Sequence, residues 1–280
     1  MRDGAEEQED AESGSTEHGS AIVEQAGGSR QSLPGGSYPT PAGALVDGVT
    51  VGTESRYIAL MAKDNLTALE AMARLVDGNR RYTQNVRSVD SMLSHSRRDL
   101  QSQRPFAIIL GCSDSRAPAE VVFDQGLGDL FVIRVAGNIV APSQVGSVEF
   151  AAERFGTRLV VVMGHSSCGA IEAALEAVLR KAGPASRNMM SIVDRVRPSI
   201  ESLVATELAN DPVRLRREAT RANVRSSVSH LRHSSEVIEG LAAGDGLLVV
   251  GAELDLATGV VEFFDGAPEL VTQPEKSRAE

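Results

Sequence analysis

Residues 106–116, Phe-Ala-Ile-Ile-Leu-Gly-Cys-Ser-Asp-Ser-Arg, and residues 159–169, Leu-Val-Val-Val-Met-Gly-His-Ser-Ser-Cys-Gly, share one plan. Each begins with five apolar residues, passes a glycine, and then delivers a side chain with strong metal affinity, Cys112 in the first and His165 in the second. An apolar run of this length ending at glycine predicts a buried strand. The same pattern predicts strands at Leu130–Val135 and Leu247–Val250, and the Thr258-Gly259 turn predicts a short edge strand at 260–264. Between these runs, Val145–Phe155 and Ala170–Lys181 carry helical spacing, and 189–241 is helical with a break near Asp211-Pro212. Strands alternating with helical stretches predict an α/β fold: a mainly parallel central sheet flanked by helices, with a short antiparallel edge strand.

Upstream, Thr67 and Glu70 have the spacing of a capping box, and Leu66, Leu69, Met72 and Leu75 repeat every three residues. Together they predict an amphipathic helix from about Asn65 to Arg81, followed by a looser polar stretch, 82–104. Residues 1–55 are rich in Glu, Gly, Ser and Pro and poor in large apolar side chains. Such a segment buries too little surface to offset its ordering entropy, so it is expected to be a disordered tail. The expected organisation is thus a tail at 1–55, one domain at 56–270 and a flexible end at 271–280.

The formal net charge is −10, of which −6 comes from seven acids and one Arg in residues 1–18, leaving −4 for the rest. Arg214, Arg216, Arg217 and Arg221 are interspersed with acids and predict a solvated or subunit-facing helix surface, so no nucleic-acid partner is expected. The longest apolar runs fall far short of a bilayer span, and the acidic start lacks the features of a secretory signal. Two cysteines are too few for a disulfide framework, which points to a reducing, cytoplasmic setting.

Those two cysteines are Cys112 and Cys168. In an open parallel sheet, ligands bind beyond the carboxyl ends of the strands. Cys112 and His165 leave two such ends, and Cys168 follows His165 by three residues at the start of a helix, where a thiolate is favoured. Two sulfurs and an imidazole are three zinc ligands with one position left over. Asp114 lies close enough to fill that position itself. Alternatively, a bidentate pair with Arg116 would hold the carboxylate off the metal and leave the position to water. A redox pair of cysteines is the competing reading, disfavoured by their placement beside His165. His230 and His233, at i and i+3, read as surface histidines, and His95 and His18 as solvated ones. Gly126-Leu-Gly128 lacks the third glycine of a dinucleotide fingerprint.

Cys112-Ser-Asp-Ser-Arg116 and His165-Ser-Ser-Cys-Gly169, 53 residues from Cys to His, resemble the β-class carbonic anhydrases. The resemblance extends through Phe131-Val-Ile-Arg-Val-Ala-Gly-Asn138, Ser147-Val-Glu-Phe150 and the stretch Val250 to Gly259, and covers roughly residues 65–264. It implies Zn2+ bound by Cys112, His165 and Cys168, with Asp114 either the fourth ligand or, paired with Arg116, a gate. It further implies reversible hydration of carbon dioxide to bicarbonate through a zinc-bound hydroxide. Gln125 matches a position that helps hold bicarbonate. A homodimer or homotetramer is also implied, with the Leu66–Arg81 helix packing on a neighbouring subunit and the metal crevice near the interface. Ala170 and Val135 depart from the family pattern without touching a ligand. Ile109 stands where members with a second, inhibitory bicarbonate pocket carry Trp, and the chain has no Trp. Two other functions fit the same residues: hydrolysis of carbonyl sulfide or carbon disulfide, and a non-catalytic sensor with an Asp-capped zinc.

Overall fold

A computed structural model describes residues 66–88, 103–180 and 186–268. The expected tail at 1–55, the flexible end at 271–280, His18 and His95 lie outside the described residues. In chain order the elements are α1 (Ala68–Thr83), β1 (Ala107–Gly111), α2 (Ala119–Val122), β2 (Leu130–Arg134), a 3-10 turn (Ala136–Asn138), α3 (Pro142–Arg154), β3 (Leu159–His165), α4 (Gly169–Arg180), α5 (Arg187–Val204), a second 3-10 turn (Glu207–Asn210), α6 (Pro212–Arg232), α7 (Glu236–Gly244), β4 (Leu248–Leu254) and β5 (Val261–Asp265).

The sheet order is β2-β1-β3-β4-β5. β1 pairs in parallel with both β2 and β3, and β3 pairs in parallel with β4. β5 alone is antiparallel, as expected of the edge strand. Every residue of β1 and β3 is buried, because helices cover both faces, and this is why both strands read as unbroken apolar runs. Alternate residues point to opposite faces. Ala107 and Ile109 of β1, with Leu159, Val161 and Met163 of β3, pack against Ala71, Met72 and Leu75 of α1. Ile108, Leu110, Val160 and Val162 pack against Val148 and Ala151 of α3 and Val224, Val228 and Leu231 of α6. A third apolar cluster joins α4, α5 and α6 and reaches Cys112 and Cys168. After β1 the chain pairs β2 on one side and returns to pair β3 on the other, so the carboxyl ends of β1 and β3 flank the switch in strand order. A crevice at that point is where such sheets bind ligands.

α1 begins as its sequence predicts. The Thr67 hydroxyl accepts from the Glu70 N–H at 3.3 Å, and the Glu70 carboxylate accepts from the Thr67 N–H at 2.8 Å. Thr67→Ala should therefore lower unfolding stability by about 1 kcal/mol, read from urea denaturation. The buried stripe differs from the one expected. It comprises Ala68, Ala71, Met72, Leu75, Gly78 and Asn79, while Leu69 is 54% exposed. A strict three-residue repeat drifts around a 3.6-residue helix, and Ala68 and Ala71, small enough for close approach, take the inward positions. This face packs on the chain's own sheet.

Val224 of α6 explains two strand glycines. A Cβ on Gly164 would lie 2.7 Å from one Val224 methyl, and a Cβ on Gly251 would lie 2.8 Å from the other. The side chain occupies the hollow these glycines leave, which seats α6 directly over the sheet beside the end of β3. No helix among the described residues is long and apolar enough to cross a membrane.

Candidate metal centre

β1 ends at Gly111 opposite Met163 of β3, so Cys112 emerges beside the last turn of backbone before His165. Ser166 then leaves the sheet while remaining tied to β4: its N–H donates to the Leu254 carbonyl at 2.9 Å, and its hydroxyl accepts from the Leu256 N–H at 2.9 Å. Ser167 adopts the left-handed region, φ 54°, and this reversal turns Cys168 back at the start of α4. The three predicted ligands meet. Their donor atoms all lie within 4.8 Å of one another, and they form the one such group of His, Cys and acidic side chains among the described residues.

The geometry fits a tetrahedral cation. The sulfurs of Cys112 and Cys168 are 3.9 Å apart, too far for a disulfide and close to the roughly 3.8 Å that two zinc–sulfur bonds at the tetrahedral angle give. His165 is 1% exposed, and its Nδ1 lies 2.9 Å from the Ser166 carbonyl. That contact requires Nδ1 to carry the proton and to donate it, leaving Nε2 with a free lone pair. Nε2 is buried with no hydrogen-bond partner, the condition of a ligand atom awaiting a cation. Such an orphan is costly in a finished core.

The cluster's electrostatics follow from the same packing. The hydrogen bond from Cys168 draws the Cys112 thiol down to about 3, against the cost of burial, with His165 and the Gly137 N–H adding to the effect. The same shared hydrogen bond, together with burial, pushes Cys168 up. The packing thus favours the thiolate at Cys112 and the thiol at Cys168. Burial pushes His165 down, but the nearby Cys112 sulfur, the bond to the Ser166 carbonyl and the charge of Asp114 outweigh this and raise it. A buried anionic pocket of this kind favours a bound cation, which would displace those protons.

Asp114 and Arg116 form the bidentate pair anticipated from sequence. Arg116 Nε donates to Asp114 Oδ1 at 2.9 Å and Nη2 donates to Oδ2 at 2.7 Å, while the Arg116 backbone N–H also reaches Oδ1 at 2.9 Å. These bonds hold the Asp114 carboxyl far below the usual carboxylate range. Asp114 Oδ2 still lies 4.0 Å from His165 Nε2, at the edge of the cluster. Arg116 also donates to the Ser167 carbonyl at 3.2 Å, so one guanidinium joins the loop carrying Cys112 to the loop carrying Cys168. Gln125 is buried and its known partners lie elsewhere. Its Nε2 donates to the Phe123 carbonyl at 2.6 Å and its Oε1 accepts from Arg74 Nε at 3.0 Å.

Sequence reasoning missed one member of this site. Arg134, at the end of β2, donates through Nε to the Cys112 carbonyl at 2.9 Å and through Nη2 to the Asp114 carbonyl at 2.5 Å. It fixes the loop that presents both residues. An Arg ending an apolar strand is the signal, since a charge there needs acceptors and the next strand end supplies them. The other sequence candidates stand apart from the cluster. His230 and His233 are exposed, His233 lying 3.8 Å from Glu239. Arg217 and Arg221 pair with Glu253 and Glu262 of the sheet, and Arg221 also stacks on Phe264.

Comparison with known proteins agrees with this geometry. The family model described as carbonic anhydrase matches residues 107–261. A carbonic anhydrase of Mycolicibacterium smegmatis is 39% identical over 201 residues, 71% of this chain and 94% of its own length. Carbonic anhydrase 2 of Mycobacterium tuberculosis is 36% identical over 196 residues, 70% of this chain and 92% of its own length. Among solved structures, a tetrameric β-carbonic anhydrase from Sordaria macrospora is similar with a TM-score of 0.53 at 26% identity, covering 58% of this chain and 82% of that one. A match over more than half the sequence, and relatives aligned along almost their entire length, settle the family: this chain belongs to the β-carbonic anhydrase family and is an enzyme of that kind.

Proposed function

We propose that the chain hydrates carbon dioxide reversibly to bicarbonate and a proton, with Zn2+ held by Cys112, His165 and Cys168 and with Asp114 outside the ligand set. The observation that carries this reading is the engagement of both Asp114 oxygens by Arg116, beside a cluster whose His165 Nε2 has no protein partner. When bound, zinc in a three-ligand site supplies a Lewis acid that activates water for attack on carbon dioxide. The chain's own residues do the rest. The Ser166 carbonyl keeps the proton on Nδ1 of His165, which leaves Nε2 as the atom that would bind the metal. Arg116 keeps Asp114 ionised and would hold it outside the ligand set, where Oδ2 can accept a hydrogen bond from the incoming water and orient it. One amide hydrogen of Gln125 is spent on the Phe123 carbonyl, and the second is the group that would hold bicarbonate.

The experiment is zinc stoichiometry measured together with carbon dioxide hydration, with carbonyl sulfide as a competing substrate. One zinc per chain and faster turnover of carbon dioxide are expected. Faster turnover of carbonyl sulfide would reassign the substrate, and zinc without turnover of either would favour a sensor. Asp114→Asn tests the gate. The amide keeps the shape but loses the charge that Arg116 binds, so the hydration rate should fall about 10²-fold with zinc retained. An unchanged rate would remove Asp114 from the mechanism. The sign of the pH effect also follows. Because the folded carboxyl is depressed, the pair is intact above the ordinary Asp range near 3.9 and is lost only as pH falls toward the lower folded value. Asp114 should therefore contribute no inflection to the pH–rate profile between about 5 and 9.

A homo-oligomer in a reducing, cytoplasmic compartment completes the proposal. Phe150 is half exposed and clusters with Phe131 and Phe155 beside β2, which ends the sheet, and both cysteines are free. An exposed aromatic group beside a strand edge that pairs with no other strand among the described residues supports association.

A further inference from the structure

The cluster is braced by a helix that carries none of its ligands. The 3-10 turn after β2 has two successive left-handed residues, Gly137 at φ 70° and Asn138 at φ 42°. A residue with a side chain holds that conformation only where its surroundings over-determine it. Here the turn's Gly137 N–H donates to Cys112 Sγ at 3.4 Å. The carbonyl of Gly137 accepts from Asn223 Nδ2 at 2.8 Å, and the carbonyl of Asn138 accepts from Ser227 Oγ at 3.1 Å. Asn223 and Ser227 stand one turn apart on α6, 2% and 5% exposed, on a helix that also buries Leu215, Ala219, Thr220, Val224, Val228 and Leu231. Buried polar side chains on such a helix are tolerated only when bonded: Thr220 bonds within its own helix, to the Arg216 carbonyl at 3.0 Å, whereas the bonds of Asn223 and Ser227 both go to this one turn. From the other side, a Cβ on Gly137 would lie 3.0 Å from the Ala170 methyl, immediately after Gly169 at the start of α4. The turn is therefore clamped between α4 and α6 with its N–H aimed at a sulfur.

We propose that Asn223, assisted by Ser227, is a positioning residue for the metal ligand Cys112: it fixes the Gly137 turn so that the Gly137 N–H orients the sulfur toward the cation. The inference rests on the metal reading above. It extends the support of the ligand set to α6, whose Val224 also packs over Gly164, one residue before His165. Outer partners that orient a ligand typically change metal affinity by about 10–100-fold when removed.

The test compares full-length wild type with Asn223→Ala, Ser227→Ala and Leu231→Ala. Leu231 is also buried on α6, eight residues from Asn223 and so about 12 Å along the axis. Three quantities are measured: zinc affinity by competition with a chromogenic chelator, the sulfur-to-cobalt charge-transfer band of the Co2+-substituted protein, and stability to urea. Asn223→Ala should bind zinc about 10-fold more weakly and move the band to lower energy, since the sulfur loses its N–H donor. Ser227→Ala should move both in the same direction by less. Leu231→Ala should lose stability with affinity and band as in wild type. The inference is overturned if Asn223→Ala behaves as Leu231→Ala does, less stable but unaltered in both metal readouts. If Asn223→Ala yields no folded protein, Ser227→Ala decides, and unchanged metal readouts there overturn the inference equally. A wild type that takes up neither metal overturns the metal reading itself, a different failure from variants that bind as wild type does.

Discussion

Cys168→Ser is expected to give folded protein that no longer retains one zinc per chain and no longer hydrates carbon dioxide at a measurable rate. The serine hydroxyl stays protonated at neutral pH and offers a cation neither the charge nor the polarisability of a thiolate. The remaining pair, Cys112 and His165, would be two ligands where a catalytic zinc site uses three. The loss should exceed the 10–100-fold that removal of an outer partner typically causes. The fold should survive because the cluster sits at strand and helix ends, above the two apolar layers that α1 on one side and α3 and α6 on the other make with the sheet. The substitution is also close in volume at a site 3% exposed. Metal analysis, carbon dioxide hydration and urea unfolding of the same preparation separate the outcomes. Full zinc occupancy with a wild-type rate would exclude Cys168 as a ligand. Loss of cooperative unfolding would instead make Cys168 part of the fold's support.

The parts legible in sequence were those where one force dominates. β1 and β3 are buried on both faces, so their apolar runs admit a single reading, and the glycine ending each run marked where a side chain would leave the sheet. The meeting of Cys112, His165 and Cys168 was equally legible, because two cysteines and a histidine beside such ends leave few other combinations. Where forces compete, the sequence was less explicit. β4 runs on to Leu254 through Glu253, a buried carboxylate that reads as a strand terminator until Arg221 of α6 is seen beside it. Burial pushes Glu253 up, while Arg221 and Arg217 pull it down. The one-turn helix α2 is too short to show periodicity. Ser167 and Asn138 are left-handed without being glycine, so nothing in their identity announces a reversal. Asn223 and Ser227 read as ordinary helix residues, because the carbonyls they bind lie 86 and 89 residues away.

Gly78→Ala should be the most damaging single-methyl change in the described fold. On propensity alone the substitution would stabilise a helix interior by about 1 kcal/mol. The packing reverses the sign. A Cβ at Gly78 would lie 1.8 Å from the Phe123 carbonyl oxygen and 2.7 Å from its carbon, a collision with backbone that no rotamer change relieves. α1 would have to move away from the 123–125 segment, and its next residue opposes that movement. Asn79 Nδ2 donates to the Gly259 carbonyl at 2.8 Å and the Val122 carbonyl at 3.2 Å, and its Oδ1 accepts from the Val261 N–H at 2.9 Å. Arg81 Nε lies 2.6 Å from Asp124, whose own left-handed backbone, φ 46°, shapes the same segment. Overpacking costs about 1–3 kcal/mol, and each buried hydrogen bond lost adds about 1 kcal/mol. A net destabilisation of about 3 kcal/mol or more follows, or roughly 6–12 °C in Tm for a domain of this size. Gly240→Ala is the matched control: it lies in α7, a Cβ there would meet nothing within 4 Å, and propensity should act alone to raise stability by about 1 kcal/mol. If both variants were stabilised, the close approach of α1 to the 123–125 segment would be wrong. The consequence would reach the proposed function, because the same added methyl would lie 2.8 Å from Gln125 Nε2, so an α1 seated differently would also move the amide proposed to hold bicarbonate.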